Sequence, residues 1–200
     1  STLAYTLFPY TTLFRSVDDA QAIFESLNST GKELSESDLI RNYILMGLEN
    51  DEQSYVYEHF WRPMELMFEY EKQDSVMDKF FRDYLTMKLT RIPKIDKVYE
   101  EFKLYHVNCE FSSVRDLCED LLKYAKYYTD MVFARSSNPV IKNLYVDVND
   151  LRMEVAFPFL LKVHNDCSEG LITEENFIEI LKMCISYVFR RNICDIPTNS

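Results

Sequence analysis

"SSVRDLCEDLLKYAKYYTDMVFAR", Ser112–Arg135, decides the fold class. Leu117, Leu121, Tyr124, Tyr128 and Met131 alternate steps of four and three residues. A helix turns once in 3.6 residues, so this spacing lines one face with apolar side chains. Ser113, followed by Asp116, offers a hydroxyl to the free amides of a first helical turn. A stripe this long needs other helices to bury it.

The chain supplies them on both sides. "VDDAQAIFESLNSTG" puts Ala20, Ile23, Phe24 and Leu27 on one face and stops at Gly31. "LSESDLIRNYILMGLEN" opens with Ser35 and Asp38 in capping-box register, then carries Leu39, Ile40, Tyr43, Ile44 and Leu48. "QSYVYEHFWRPMELMFEYEK" is helical on both sides of Pro63, which predicts two helices with Pro63 in the first turn of the second. "DSVMDKFFRDYLTMKLTR" repeats Val76, Phe80, Tyr84 and Met87 and stops before Pro93. "KIDKVYEEFKLYHVN" predicts a short amphipathic helix, and "NPVIKNLYVDV" a short helix or an extended turn. "DLRMEVAFPFLLKVHND" is apolar on most sides, which predicts a central helix kinked at Pro158. "TEENFIEILKMCISYVFRRNICD" begins at a Thr173 cap and buries Phe177, Ile180, Leu181, Cys184 and Val188. The expected fold is all-α, a bundle of about eight or nine helices with no substantial sheet. Only three glycines are present, which also argues against a sheet built on hairpins.

The net charge is −11, so the overall field does not draw nucleic acid; phosphate binding would need a local basic patch. No stretch approaches the roughly 20 apolar residues of a membrane span, and no secretory leader is legible. Five cysteines, Cys109, Cys118, Cys167, Cys184 and Cys194, without a CxxC pair fit reduced thiols in a cytoplasmic protein.

The first residues read differently. "TLFPYTTLFRS", Thr6–Ser16, matches at all eleven positions one reading frame of a widely used short-read sequencing adapter. Residues 1–16 are therefore expected to be a non-native, adapter-derived tail, outside fold reasoning. Leaving out Arg15 takes the charge of 17–200 from −11 to −12.

Chemistry-bearing motifs are sparse. Three isolated glycines draw no phosphate loop, and no HExxH or paired Cys/His spacing appears. His59, His106 and His164 are single and far apart; "HND" at 164–166 reads as a helix end, where a histidine favours the dipole, since the partners that a metal or nuclease site would need there are missing. No catalytic or metal-ligating residue is assigned. Lys88, Arg91, Lys94 and Lys97 recur at every third position, and Arg190 and Arg191 end the last helix. Such cations are either dipole partners at helix C-termini or a local ridge for phosphate, with Lys88, Arg91, Arg190 and Arg191 as the DNA-binding candidates. The Asn28-Ser29-Thr30-Gly31 turn either bonds its own backbone or, with a helix start just beyond it, contacts an anionic ligand.

"FESLNSTGKELSESDLIRNYIL", Phe24–Leu45, resembles the segment that ends the N-terminal domain core of GmrSD-type restriction endonucleases, with Phe24, Glu25, Asn28, Gly31, Leu34, Ser35 and Asp38 in the family's pattern. "YVFRRNICDIPTNS" is similar to the arginine-containing helix near the end of that family's helical region. The resemblance implies a division into 17–50, the end of the N-terminal domain, and 51–200, a helical domain. It implies a parent that is a nucleotide-dependent, modification-targeting endonuclease of anti-phage defence, using an NTP and a divalent metal. The family's Asp-Gly-Gln-Gln-Arg motif and His-Asn-His-type domain are both missing from this chain. The fragment is thus expected to be inactive alone and to hold no cofactor. Its partners would be the missing N- and C-terminal domains of its own parent chain, with DNA reached through the parent and no membrane. Asn28, Thr30 and Gly31 would approach the nucleotide. The alternative is a non-enzymatic helical protein-interaction module.

Overall fold

The computed structural model describes residues 34–69 and 76–194. Among them the chain forms eight helices and no strand. They are α1 (Glu36–Met46), α2 (Asn50–Val56, Tyr57–Trp61 and Arg62–Phe68 in one continuous run), α3 (Val76–Leu89), α4 (Val98–Asn108), α5 (Val114–Val132), α6 (Pro139–Asp150), α7 (Phe157–Ser168) and α8 (Glu174–Ile193). Short 3₁₀ turns, Ile95–Lys97 and Glu154–Ala156, lead into α4 and α7.

Helix starts follow side-chain caps. Ser113 Oγ accepts from the Asp116 amide at 3.2 Å. Ser35 and Thr173 form reciprocal capping boxes with Asp38 and Asn176. Asn138 Oδ1 accepts from the Val140 amide at 2.9 Å, and Pro139 follows it in the first turn. That pairing makes "NPVIKNLYVDV" a full helix.

Helix ends are less orthodox. After α5 the Arg135 amide bonds Asp130 O and the Ala134 amide bonds Met131 O; after α6 Met153 bonds Val148 O and Arg152 bonds Asn149 O; after α7 Leu171 bonds Asp166 O and Gly170 bonds Cys167 O. Each is a Schellman stop, which needs a left-handed residue. The residues there are Ala134 (φ 48), Arg152 (φ 52) and Gly170 (φ 73). A chain with few glycines thus makes sharp stops with ordinary residues, at a cost in backbone strain.

Two prolines act differently from the expectation. Helix α2 is not divided at Pro63. The Arg62 amide reaches back five residues to Tyr57 O, and Tyr57–Trp61 is a π-helical turn. Proline lacks an amide and crowds the carbonyl four residues back; the wider turn just before it absorbs both defects. Pro158 does not kink α7 but sits in its first turn, where no amide is missed.

The face read from the sequence of α5 is buried in full: Leu117, Leu121, Tyr124, Tyr128 and Met131. The centre of the bundle is α3, which packs against α1, α2, α4, α5 and α7. Phe80, Phe81, Tyr84 and Leu85 are wholly buried on it. Aromatic rings tie it to its neighbours: Phe81 stacks on Trp61 at 5.8 Å and meets Phe102 edge-on at 5.9 Å, Phe80 meets Tyr128 at 5.5 Å, and Tyr84 meets Tyr124 at 5.6 Å. Such pairs add about 0.5–1.5 kcal/mol each beyond area burial. Helix α7, expected to be central, packs against α3, α5 and α8 but leaves Phe159 exposed.

Candidate functional site

The family-like segment enters the described residues at Leu34, and its helix α1 is fastened at the very start. The Ser37 amide donates to Asp78 Oδ1, in the first turn of α3, at 2.8 Å. The Tyr99 amide, in the first turn of α4, donates to Glu36 Oε2 at 2.5 Å. Three helix N-termini therefore meet, and a carboxylate from one satisfies an orphan amide of the next. Each bond is charge-assisted, which makes it stronger than a neutral pair. Farther along α1, Arg41 bridges Asp38 at 3.0 Å and Glu65 of α2 at 2.8 Å, and Glu65 also accepts from Trp61 Nε1. Tyr43 OH meets His106 Nδ1 of α4 at 3.1 Å. The expected boundary at 50/51 thus has α1 on one side packed directly onto α3 and α4 on the other. Asn28, Thr30 and Gly31, the nucleotide candidates, lie outside the described residues.

Three cations of the expected basic run, Lys88, Arg91 and Lys97, have carboxylate partners. Lys88 Nζ sits 2.7 Å from Asp120 Oδ2 of α5, over the rings of Tyr124 at 4.9 Å, Tyr84 at 5.3 Å and Phe111 at 5.8 Å. Asp120 also accepts from Tyr84 OH at 2.7 Å, and Tyr84 OH lies 3.3 Å from Tyr105 OH. Arg91 grips Glu101 through both terminal nitrogens, and Lys97 pairs with Glu100 at 3.0 Å. Arg190 and Arg191 close α8; Arg190 is exposed and Arg191 half-buried.

The histidines are dispersed. His59 is exposed and stacks on Tyr55. His164 lies within α7, clamped between Tyr127 at 4.2 Å, stacked, and Phe177 at 5.2 Å, edge-on. Its Nδ1 is buried without a partner, and burial pushes its pKa below the usual histidine value. The neighbouring Asn165 Oδ1 is also buried and unpartnered, whereas Asp166 pairs with Lys162. Among the described residues no group of three or more His, Cys, Asp or Glu side chains is placed to hold a metal. The five cysteines are free thiols, and burial pushes that of Cys118 up to about 12. No helix of the described residues is long and apolar enough to cross a membrane.

One titratable group escaped the sequence reading. Burial pushes the Asp83 carboxyl up to about 7, opposed by a hydrogen bond with Tyr128 and by the charges of Arg82 and Lys79. Asp83 follows Phe80 by three residues and precedes Met87 by four, so it interrupts the apolar stripe of α3; that interruption was the available signal.

Comparison with family models, with curated proteins and with solved structures returned no match.

Proposed function

We propose that this chain is the helical region of a nucleotide-dependent, modification-targeting restriction endonuclease of the GmrSD type, lying between the parts that handle nucleotide and cut DNA. The observation that carries this reading is the Phe24–Leu45 motif. Its Ser35 and Asp38 form the capping box that starts α1. The attachment of α1 supports it as well. A displacement of the turn before α1 would reach α3 and α4 directly, through Ser37–Asp78 and Glu36–Tyr99. In this reading Asn28, Thr30 and Gly31 approach the nucleotide, and the NTP and divalent metal chemistry belongs to the cytoplasmic parent. DNA phosphates meet Arg190 and Arg191; Lys88 and Arg91 join them only on releasing Asp120 and Glu101.

The test is phage restriction by the complete reading frame. Phage with modified DNA should plate poorly on cells that express it and normally on cells expressing Asn28→Ala. Equal plating of modified and unmodified phage on the wild-type strain would sink the reading. Purified alone, this polypeptide is expected to turn over no nucleotide and cut no DNA.

A second reading, a helical protein-interaction module with no enzyme attached, is favoured by one observation. The C-terminal half of α8 leaves Met183, Tyr187, Phe189 and Ile193 each more than half exposed. An Asp-Gly-Gln-Gln-Arg motif in the reading frame upstream would decide for the first reading.

A further inference from the structure

His164 joins three helices. It belongs to α7, stacks on Tyr127 of α5 at 4.2 Å and meets Phe177 of α8 edge-on at 5.2 Å. Tyr127 and Phe177 are both buried. The Nδ1 of His164 is buried too and has no hydrogen-bond partner. A neutral imidazole tolerates this, because one of its nitrogens carries no proton. In an imidazolium both nitrogens are donors, and a buried N–H without an acceptor is costly. Asn165 Oδ1 is a buried acceptor one residue on, but successive side chains of a helix do not face each other.

The surroundings offer a cation little. Lys126 of α5 faces the ring, and its charge opposes a second one. On α7 itself Asp166 is paired with Lys162, and burial holds the Cys167 thiol above its ordinary pKa, uncharged. On α8 Glu174 accepts from Asn138 at 2.7 Å, and Glu175 bonds Thr173. The α3 charges nearest to α7, those of Lys79, Arg82 and Asp83, gather about Glu154, about 15 Å along the axis from His164. Burial outweighs the attraction of the Tyr127 face and the opposing effect of the residue's own backbone, and with Lys126 it keeps the pKa of His164 below the ordinary value.

Of the three helices at this point α8 is the least fastened. Nine side chains of α5 and four of α7 are buried, against two of α8, Phe177 and Leu181. One of those two is the ring that touches His164. The sharp stop at Gly170 (φ 73) lies between α7 and α8, so α8 can turn away without unwinding either helix.

We propose that His164 is an acid-operated lock on α8: the neutral ring seats Phe177, and the charged ring leaves its place between Tyr127 and Phe177, so that the first turns of α8 come away from α7. The lock is independent of both functional readings above. Its sign follows from linkage. A histidine whose pKa is lower in the closed state than in the open one favours closure above about 6.5 and loses that advantage as pH falls below it.

Amide hydrogen exchange of the full chain at about pH 7.5 and about pH 5, corrected for the pH dependence of the exchange chemistry itself, tests this. The amides of Phe177–Ile185 are expected to lose protection in acid, by up to about tenfold for each pH unit between the closed and open values of His164. Those of Phe80–Leu85, at the centre of the bundle, should keep theirs. His164→Phe, which fills the same place with a ring that never charges, should abolish the acid effect on α8. Should that variant fold poorly, the imidazole titration of the wild-type chain, followed by NMR, decides instead, with a midpoint below about 6.5 expected. Equal protection of α8 at both pH values overturns the proposal. So does an acid loss that persists in His164→Phe, an opening of α3 together with α8, or a His164 midpoint at or above the ordinary value.

Discussion

Asp83→Asn should stabilise the protein, and only above mildly acidic pH. In the folded chain burial pushes the carboxyl from 3.8 up to about 7, against a hydrogen bond with Tyr128 that acts to lower it. Between these values the folded state holds a proton that the unfolded state has released. Stability from this group is full below the unfolded value and falls as pH rises through the folded one. The separation of about three pH units, at about 1.4 kcal/mol per unit, gives a loss on the order of 4 kcal/mol by pH 8. Asparagine stays neutral at every pH and still offers Tyr128 an acceptor. The variant should therefore match wild type near pH 4 and exceed it by on the order of 2–4 kcal/mol at pH 8. Urea unfolding followed by far-UV circular dichroism at both pH values measures the difference. Other titrating groups are common to the two proteins and cancel. A difference that is equal at pH 4 and pH 8, or a variant weaker than wild type at pH 8, would refute the reasoning.

Three further outcomes follow from the same packing. Ala134→Gly and Arg152→Gly, at the left-handed residues of two Schellman stops, should each raise stability by about 1 kcal/mol in urea melts, because glycine adopts positive φ without strain. His164→Phe should be near neutral at pH 8 and stabilising at pH 5. The folded-state pKa of His164 is depressed, so its contribution is lost as pH falls below the unfolded value of about 6.5; equal effects at both pH values would count against a buried neutral imidazole. Asp78→Ala strands the Ser37 amide and should cost about 1–2 kcal/mol, with faster hydrogen exchange at Ser37 by NMR; unchanged exchange there would mean that α1 does not depend on α3 for its start.

The helical class was legible because α5 states its period without ambiguity, and the caps at Ser35, Ser113 and Thr173 were legible as local chemistry. Failures came where a residue's role depends on something distant or on backbone geometry. Pro63 predicts a break, but a π turn absorbs it, and nothing local in "YEHFWRP" announces five-residue hydrogen bonding. Ala134 and Arg152 end helices in a conformation that composition does not advertise. Lys88 belongs by sequence to a basic run, yet its partner Asp120 comes from another helix, which only the folded chain brings near. The DNA candidates thus read as exposed cations although two of them are held by carboxylates. The nucleotide candidates Asn28, Thr30 and Gly31 rest on the motif alone. Asp83 could have been found, since a carboxylate inside an apolar stripe has to be either neutral or paired.

The same packing limits where this chain can change shape. From Ile40 to Leu181 the core is a continuous set of buried rings and aliphatic side chains centred on α3. Close-packed interiors do not deform gradually; they move as bodies or repack at considerable cost. The joints must then lie where contacts are few or polar. Helix α1 meets that description at its first turn, held there by two carboxylate–amide bonds. Helix α8 meets it at the other extreme, since past Leu181 none of its residues is fully buried. Both proposed functions load these two places and leave the centre alone. If hydrogen exchange found α3 opening before α1 and the tip of α8, the division into a rigid centre and working ends would be wrong, and with it the physical basis shared by both readings.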